Sequence, residues 1–137
     1  LLGARTEDST GSIIASAALA TTTMELLCQA SKRWINERRP DGGFKSFPSG
    51  HTTAAFTGAE LIRLHYGWGW GAGAYALATA VGVSRVVHNR HWWWDAAAGA
   101  ALGVACANLS VKCCRAWFSP RVDPQSGTLC LGVSCCF

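Results

Sequence analysis

Apolar residues run along the chain in four long blocks, separated by polar or glycine-rich breaks. From Ser12, suited to cap a helix, to about Arg33, the residues Ile13, Ile14, Ala17, Ala18, Leu19, Ala20, Met24, Leu26 and Leu27 predict a first helix, interrupted by Glu25. Between Arg38 and Gly50, Pro40, Pro48, Asp41-Gly42-Gly43 and Ser49-Gly50 stop the helical pattern and predict a long loop. His51 to about Tyr66 is helical again. Gly67, Gly69, Gly71 and Gly73, interleaved with Trp68 and Trp70, predict a turn; a third helix follows over Tyr75 to Val87 and a fourth from Trp93 to about Trp117. Residues 1 to 10 are mostly polar and predict a frayed start, and Leu1-Leu2-Gly3 carries no basic leader before an apolar run, so no signal peptide is expected.

Four such helices predict an all-α bundle over residues 1–118, with residues 119–137 a separate, irregular Cys-containing tail in which Leu129, Leu131 and Val133 alternate as in a strand. Gly82, Gly99 and Gly103 would let helix axes approach closely, as in membrane bundles. A membrane-embedded bundle is therefore expected, although Glu25, Arg63, Arg85 and Lys112 make each span marginal.

Composition narrows the classes. Half of the 137 residues are apolar and 15% charged, which excludes a disordered tail. The excess of 12 Lys and Arg over 8 Asp and Glu is not gathered into one block, so a membrane surface or an anionic substrate fits better than nucleic acid. Seven cysteines, with Cys28 and Cys106 inside apolar stretches and Cys113-Cys114 and Cys135-Cys136 adjacent, do not suit a disulfide scaffold, and no metal-ligand spacing appears.

The remaining polar residues cluster at helix ends. Lys32 and Arg39-Pro40 lie at the exit of the first helix, Pro48-Ser49-Gly50-His51 at the start of the second, Ser84-Arg85 at the end of the third, and His91 and Asp95 at the start of the fourth. Antiparallel neighbours put all of these on one face. Such a set suits a phosphate group. Lys32, Arg39 and Arg85 would neutralise its oxygens, and Ser49 with the Gly50 N–H would add directed donors at a helix start. His91 and Asp95, four apart, share a helical face, so the carboxylate can hold one ring nitrogen protonated while the other attacks phosphorus. His51 would protonate the leaving oxygen and later activate water.

Lys32-x6-Arg39-Pro40, Pro48-Ser49-Gly50-His51 and Ser84-Arg85-x5-His91-x3-Asp95 resemble the three-part signature of the type 2 phosphatidic acid phosphatase and vanadium haloperoxidase superfamily, with all eleven fixed positions in order. The resemblance implies a phosphatase that needs no metal or other cofactor and forms a phosphohistidine on His91, with Asp95 orienting it, His51 as general acid, and Lys32, Arg39, Ser49, Gly50 and Arg85 holding the phosphate. The expected substrate is an anionic lipid phosphomonoester or pyrophosphate, with vanadate as an inhibitor. The alternatives are a vanadate-dependent haloperoxidase-like enzyme and a soluble non-specific acid phosphatase. Membrane-bound members usually have six helices against the four counted here, so two N-terminal helices are missing or this is a minimal form.

Other residues carry blander expectations. Trp68, Trp70, Trp92, Trp93, Trp94 and Trp117 fall near helix ends, the distribution of a membrane aromatic belt. Arg63, Lys112, Arg115 and Arg121 lie opposite the site; the positive-inside tendency then puts the site on the periplasmic side of a bacterial inner membrane. His65 is expected at the surface and His88, with Arg90, at the rim of the site. Glu37 and Asp41 are expected to pair with the arginines of the first motif.

Overall fold

The chain folds as α1 (Thr10–Trp34), α2 (Gly50–Tyr66), α3 (Trp68–Val87) and α4 (Trp93–Phe118), followed by strands β1 (Pro120–Val122) and β2 (Leu129–Leu131). This computed structural model describes residues 10–35, 37–38, 40–118, 120–122 and 129–131, with side chains through Arg115. Helix α2 is the hub, packed along α4 and α3 and more briefly against α1, while α1 lies mainly on α4. The tail pairs β1 antiparallel with β2, Arg121 opposite Cys130, so part of the predicted alternation at Leu129 and Leu131 is a strand.

Burial is inverted relative to a water-soluble bundle. Ser12, Ser16, Thr52, Thr53, Thr57, Glu60, His65, Asp95 and Ser110 are buried, whereas Ile14, Leu26, Leu77, Val83, Val87 and Leu109 are exposed. The buried apolar cluster is small: Met24, Cys28 and Cys106, with Leu102 against it, which places both cysteines in the core as expected. In water such an arrangement would forfeit most of the hydrophobic driving force. Against hydrocarbon tails nothing is gained by hiding Leu or Val, and the interior is left to small side chains and hydrogen bonds. Helix α1 and residues Trp93–Arg115 of α4 are each long and apolar enough to cross a membrane.

Glycine makes the central seam. A Cβ on Gly99 would stand 2.9 Å from the Ser49 carbonyl oxygen and from Thr53 Oγ1, and one on Gly103 would stand 2.9 Å from the Thr57 N. Positions 49, 53 and 57 of the second segment therefore face 99 and 103 of α4 at the shared four-residue spacing of one helical face. Thr57 Oγ1 donates to the carbonyl of Thr53 at 2.8 Å and reaches that of Gly103 at 3.3 Å, so hydroxyls in the seam find backbone acceptors.

Three local expectations change. The glycine- and tryptophan-rich stretch forms no extended turn; only Gly67, at φ +84°, breaks the chain, and α3 begins at Trp68. Gly71 is needed for packing instead, since a Cβ there would stand 2.9 Å from Arg63 Cβ. Ser12 lies inside α1 and is buried, so it does not cap the helix. His65 is buried, its Nε2 3.0 Å from Ser16 Oγ, because α1 presents a serine face to the end of α2.

Arg63 joins a polar knot centred on Glu60, a residue the sequence pattern does not single out. Glu60 Oε1 accepts from Arg63 Nη2 and Asn108 Nδ2, and Oε2 accepts from Arg63 Nε and the Tyr75 hydroxyl, each at 2.6 Å. The fully buried carboxylate thereby meets its charge partner and four donors, tying α2 to α3 and α4. Arg63 also lies over the Trp68 ring, 5.0 Å from its centroid.

Candidate active site

The antiparallel course of the helices brings the motif residues to one end of the bundle. Helix α2 starts at Gly50 with no acidic residue in its first turn, leaving its N-terminal amides and dipole open to an anion. Gly50 has room for cationic company: a Cβ there would stand 3.4 Å from Lys32 Nζ, so the last turn of α1 delivers an ammonium to the start of α2. Ser49 is fully buried, its Oγ 3.0 Å from Thr52 Oγ1, and its N–H donates to the Asp95 carbonyl at 3.2 Å. His51 occupies the first turn of α2 and is exposed.

The third motif folds as the end of α3, a tight turn and the start of α4. The Arg85 carbonyl accepts from the backbone N–H of Arg90 at 3.0 Å and of His91 at 3.3 Å, which brings the main chain of His91 against that of Arg85. Arg85 itself is half-buried, and its Nε is buried without a hydrogen-bond partner among the described residues, as is Asp95 Oδ1. An orphaned guanidinium donor at such a place is a donor suited to an anionic ligand.

His91 and Asp95 are both buried, but their relation differs from the simple pair that their spacing suggests. His91 Nδ1 is 2.8 Å from the Ser46 carbonyl oxygen and 3.9 Å from Asp95 Oδ2. A carbonyl only accepts, so Nδ1 carries a proton, and in the neutral form of the ring the lone pair is on Nε2. Asp95 Oδ2 instead accepts the Ser46 hydroxyl and, at 3.0 Å, the Trp92 N–H. The carboxylate thus reaches the imidazole chiefly through Ser46, a loop residue outside the eleven motif positions.

The loop before α2 is fastened to the start of α4 by side chains. Trp92 Nε1 donates to the Arg38 carbonyl at 3.0 Å and Trp94 Nε1 to Glu37 Oε1 at 3.2 Å, with the two indoles stacked 5.0 Å apart. Among the described residues, Asp41 pairs across to Arg90 of the third-motif turn at 3.7 Å, and Glu37 meets the Trp94 indole. His88 is exposed and bonds its own helix end, Nδ1 to the Ser84 carbonyl at 2.7 Å, which leaves it on the rim. Arg39 lies outside the described residues. Among those described, no three His, Cys, Asp or Glu residues group as a metal site.

Beside the site, a cavity of about 350 Å³ runs between α3 and α4 over a floor of α2. Its upper wall is Val86, Val87 and Trp93, within two residues of Arg85 or His91 in sequence, and its deeper wall is Phe56, Thr79 and Ala100. That volume lies within the range of ligand pockets, roughly 300–1,000 Å³.

Comparison with known proteins gives the chain a family and a fold likeness. The family model of the PAP2 superfamily matches residues 11–119. Lipid A 1-phosphatase of Porphyromonas gingivalis is 40% identical over 106 residues, covering 74% of this chain and 24% of that protein. Lipid phosphate phosphatase 2 of Arabidopsis thaliana is 33% identical over 117 residues, covering 75% of this chain and 38% of that protein. The crystal structure of Aquifex aeolicus LpxE superposes with a TM-score of 0.71 at 25% identity, over 75% of this chain and 69% of that one. The chain spans well under half the length of both curated relatives. With the family match running from the first turn of α1 to the end of α4 and taking in all three motifs, the chain belongs to the PAP2 superfamily.

Proposed function

We propose that this chain is the catalytic part of a membrane-embedded phosphatase that hydrolyses a lipid phosphomonoester or pyrophosphate through a phosphohistidine on His91, without a metal. The observation that carries the reading is the tautomer of His91: the Ser46 carbonyl holds the proton on Nδ1, so Nε2 is the attacking nitrogen. Lys32, Arg39, Ser49, Gly50 and Arg85 hold the phosphate, and the orphaned Arg85 Nε supports that role. In the first step the Nε2–P bond forms, the P–O bond to the lipid breaks, and His51 gives its proton to the departing oxygen. In the second, His51 takes a proton from water, the water oxygen attacks phosphorus, and the N–P bond breaks to release inorganic phosphate.

The lipid part of the reading rests on the inverted burial, the two bilayer-length helices and the apolar cavity that opens beside the site. Relatives named for lipid A and lipid phosphates support the same class. Lys112, exposed near the far end of α4, and Arg121 beyond it favour a cytoplasmic far end and a periplasmic site in a bacterial inner membrane. Phosphate release from phosphatidic acid, phosphatidylglycerophosphate, lipid A and an isoprenyl pyrophosphate tests the proposal directly. His91→Ala should abolish release and chelator should leave it intact; full activity in His91→Ala, or complete loss in chelator, would refute the mechanism.

A further inference from the structure

We propose that Ser46 is a positioning residue for the reaction: its carbonyl fixes the His91 tautomer, and its hydroxyl couples that carbonyl to Asp95. The inference rests on His91 being the nucleophile. Ser46 is completely buried, yet both of its polar ends are engaged toward the same site, the carbonyl by His91 Nδ1 at 2.8 Å and the hydroxyl by Asp95 Oδ2. Its N–H donates to the Glu37 carbonyl at 3.1 Å, so all three polar groups of this one residue are held and the peptide has little freedom to turn away from the imidazole.

The division of labour follows from distances. At 3.9 Å from Nδ1, Asp95 Oδ2 is beyond hydrogen-bond reach of the ring but close enough to stabilise positive charge. Attack by Nε2 turns the ring into a phosphorylated imidazolium that keeps its Nδ1 proton. The neutral carbonyl holds that proton before attack, and the carboxylate charge counters the cation after it. The Ser46 hydroxyl and the Trp92 N–H both hold Oδ2, and together they keep the carboxylate at this distance from the ring.

The test is a double-mutant cycle on lipid phosphate hydrolysis with Ser46→Ala and Asp95→Ala, joined by Ser46→Thr. Ser46→Ala should lower kcat by on the order of 10- to 100-fold, the usual effect of removing a partner that orients a working imidazole, with KM within about twofold. Ser46→Thr, which keeps the hydroxyl, should recover most of the loss. In the Asp95→Ala background, Ser46→Ala should cost almost nothing more, because its route to the ring is already gone. The inference is overturned if Ser46→Ala keeps the parent kcat, if Ser46→Thr is as impaired as Ser46→Ala, or if the alanine costs the same factor in both backgrounds. A parent protein with no phosphatase activity would instead refute the proposed function.

Discussion

Gly103 of α4 lies so close to Thr53 of α2 that a Cβ on the glycine would stand 2.5 Å from the threonine carbonyl oxygen. Backbone cannot yield as a flexible side chain can, so Gly103→Ala must push the two central helices apart. The expected cost is about 1–3 kcal/mol, the range for overpacking a filled interior. Gly73 of α3 is the control: it is exposed and a Cβ there meets nothing within 4 Å. Gly73→Ala should be neutral or stabilise by up to about 1 kcal/mol through helix propensity. Thermal unfolding in detergent micelles, followed by circular dichroism, separates the two.

Glu60 should behave as the partner of a buried ion pair. Glu60→Ala strands the Arg63 guanidinium and removes the acceptor shared by Tyr75 and Asn108, with an expected loss of about 3–5 kcal/mol. Adding Arg63→Ala should restore part of that loss, because the unpaired charge is then gone. A double variant no more stable than Glu60→Ala alone, in the same unfolding assay, would contradict this account of the knot.

Ala100 lines the deeper wall of the cavity beside the site. If the cavity takes part of a lipid tail, Ala100→Leu should raise KM for a long-chain lipid phosphate by about 10-fold or more, the scale set by adding bulk to an apolar pocket. Hydrolysis of a water-soluble aryl phosphate should be unchanged. Equal effects on both substrates would place the lipid tail elsewhere.

Lys32 brings its ammonium against Gly50 at the start of α2. Lys32→Met keeps much of the stem and removes the charge, so orthovanadate should inhibit the variant about 10- to 100-fold more weakly, as expected for one lost charged hydrogen bond of about 1.5–3 kcal/mol. The comparison is made from inhibition constants at fixed salt, since exposed electrostatics are screened. An unchanged constant would remove Lys32 from the phosphate-holding set.

The sequence pattern made the four helices and the pole of the site legible, because apolar blocks and helix-end polar residues are local signals. It places Lys32 near Gly50 through antiparallel geometry, and His91 near Asp95 through their spacing of four. What stayed hidden depended on contacts between segments distant in the chain. Ser46, one serine in a proline- and glycine-rich loop, acquires its importance only when His91 arrives 45 residues later against it. Nothing in the local pattern singles out Glu60, whose partners Tyr75 and Asn108 belong to other helices, and the glycines after Gly67 signal a turn although Gly71 exists to admit Arg63. The burial of His65 is hidden for the same reason, since its partner Ser16 belongs to another helix.

The inverted burial of this bundle carries a consequence for how its sequence can drift. The outward Ile, Leu and Val side chains meet only a fluid surround, which has no shape to match, so exchanges among large hydrocarbons there are close to silent. Along the seam at Gly99 and Gly103 the facing Ser and Thr leave no room for a Cβ, and a change as small as one methyl group is felt there. A saturation library of this chain would therefore read backwards from that of a water-soluble enzyme. Its tolerant positions would be the greasy ones and its intolerant positions the small polar ones.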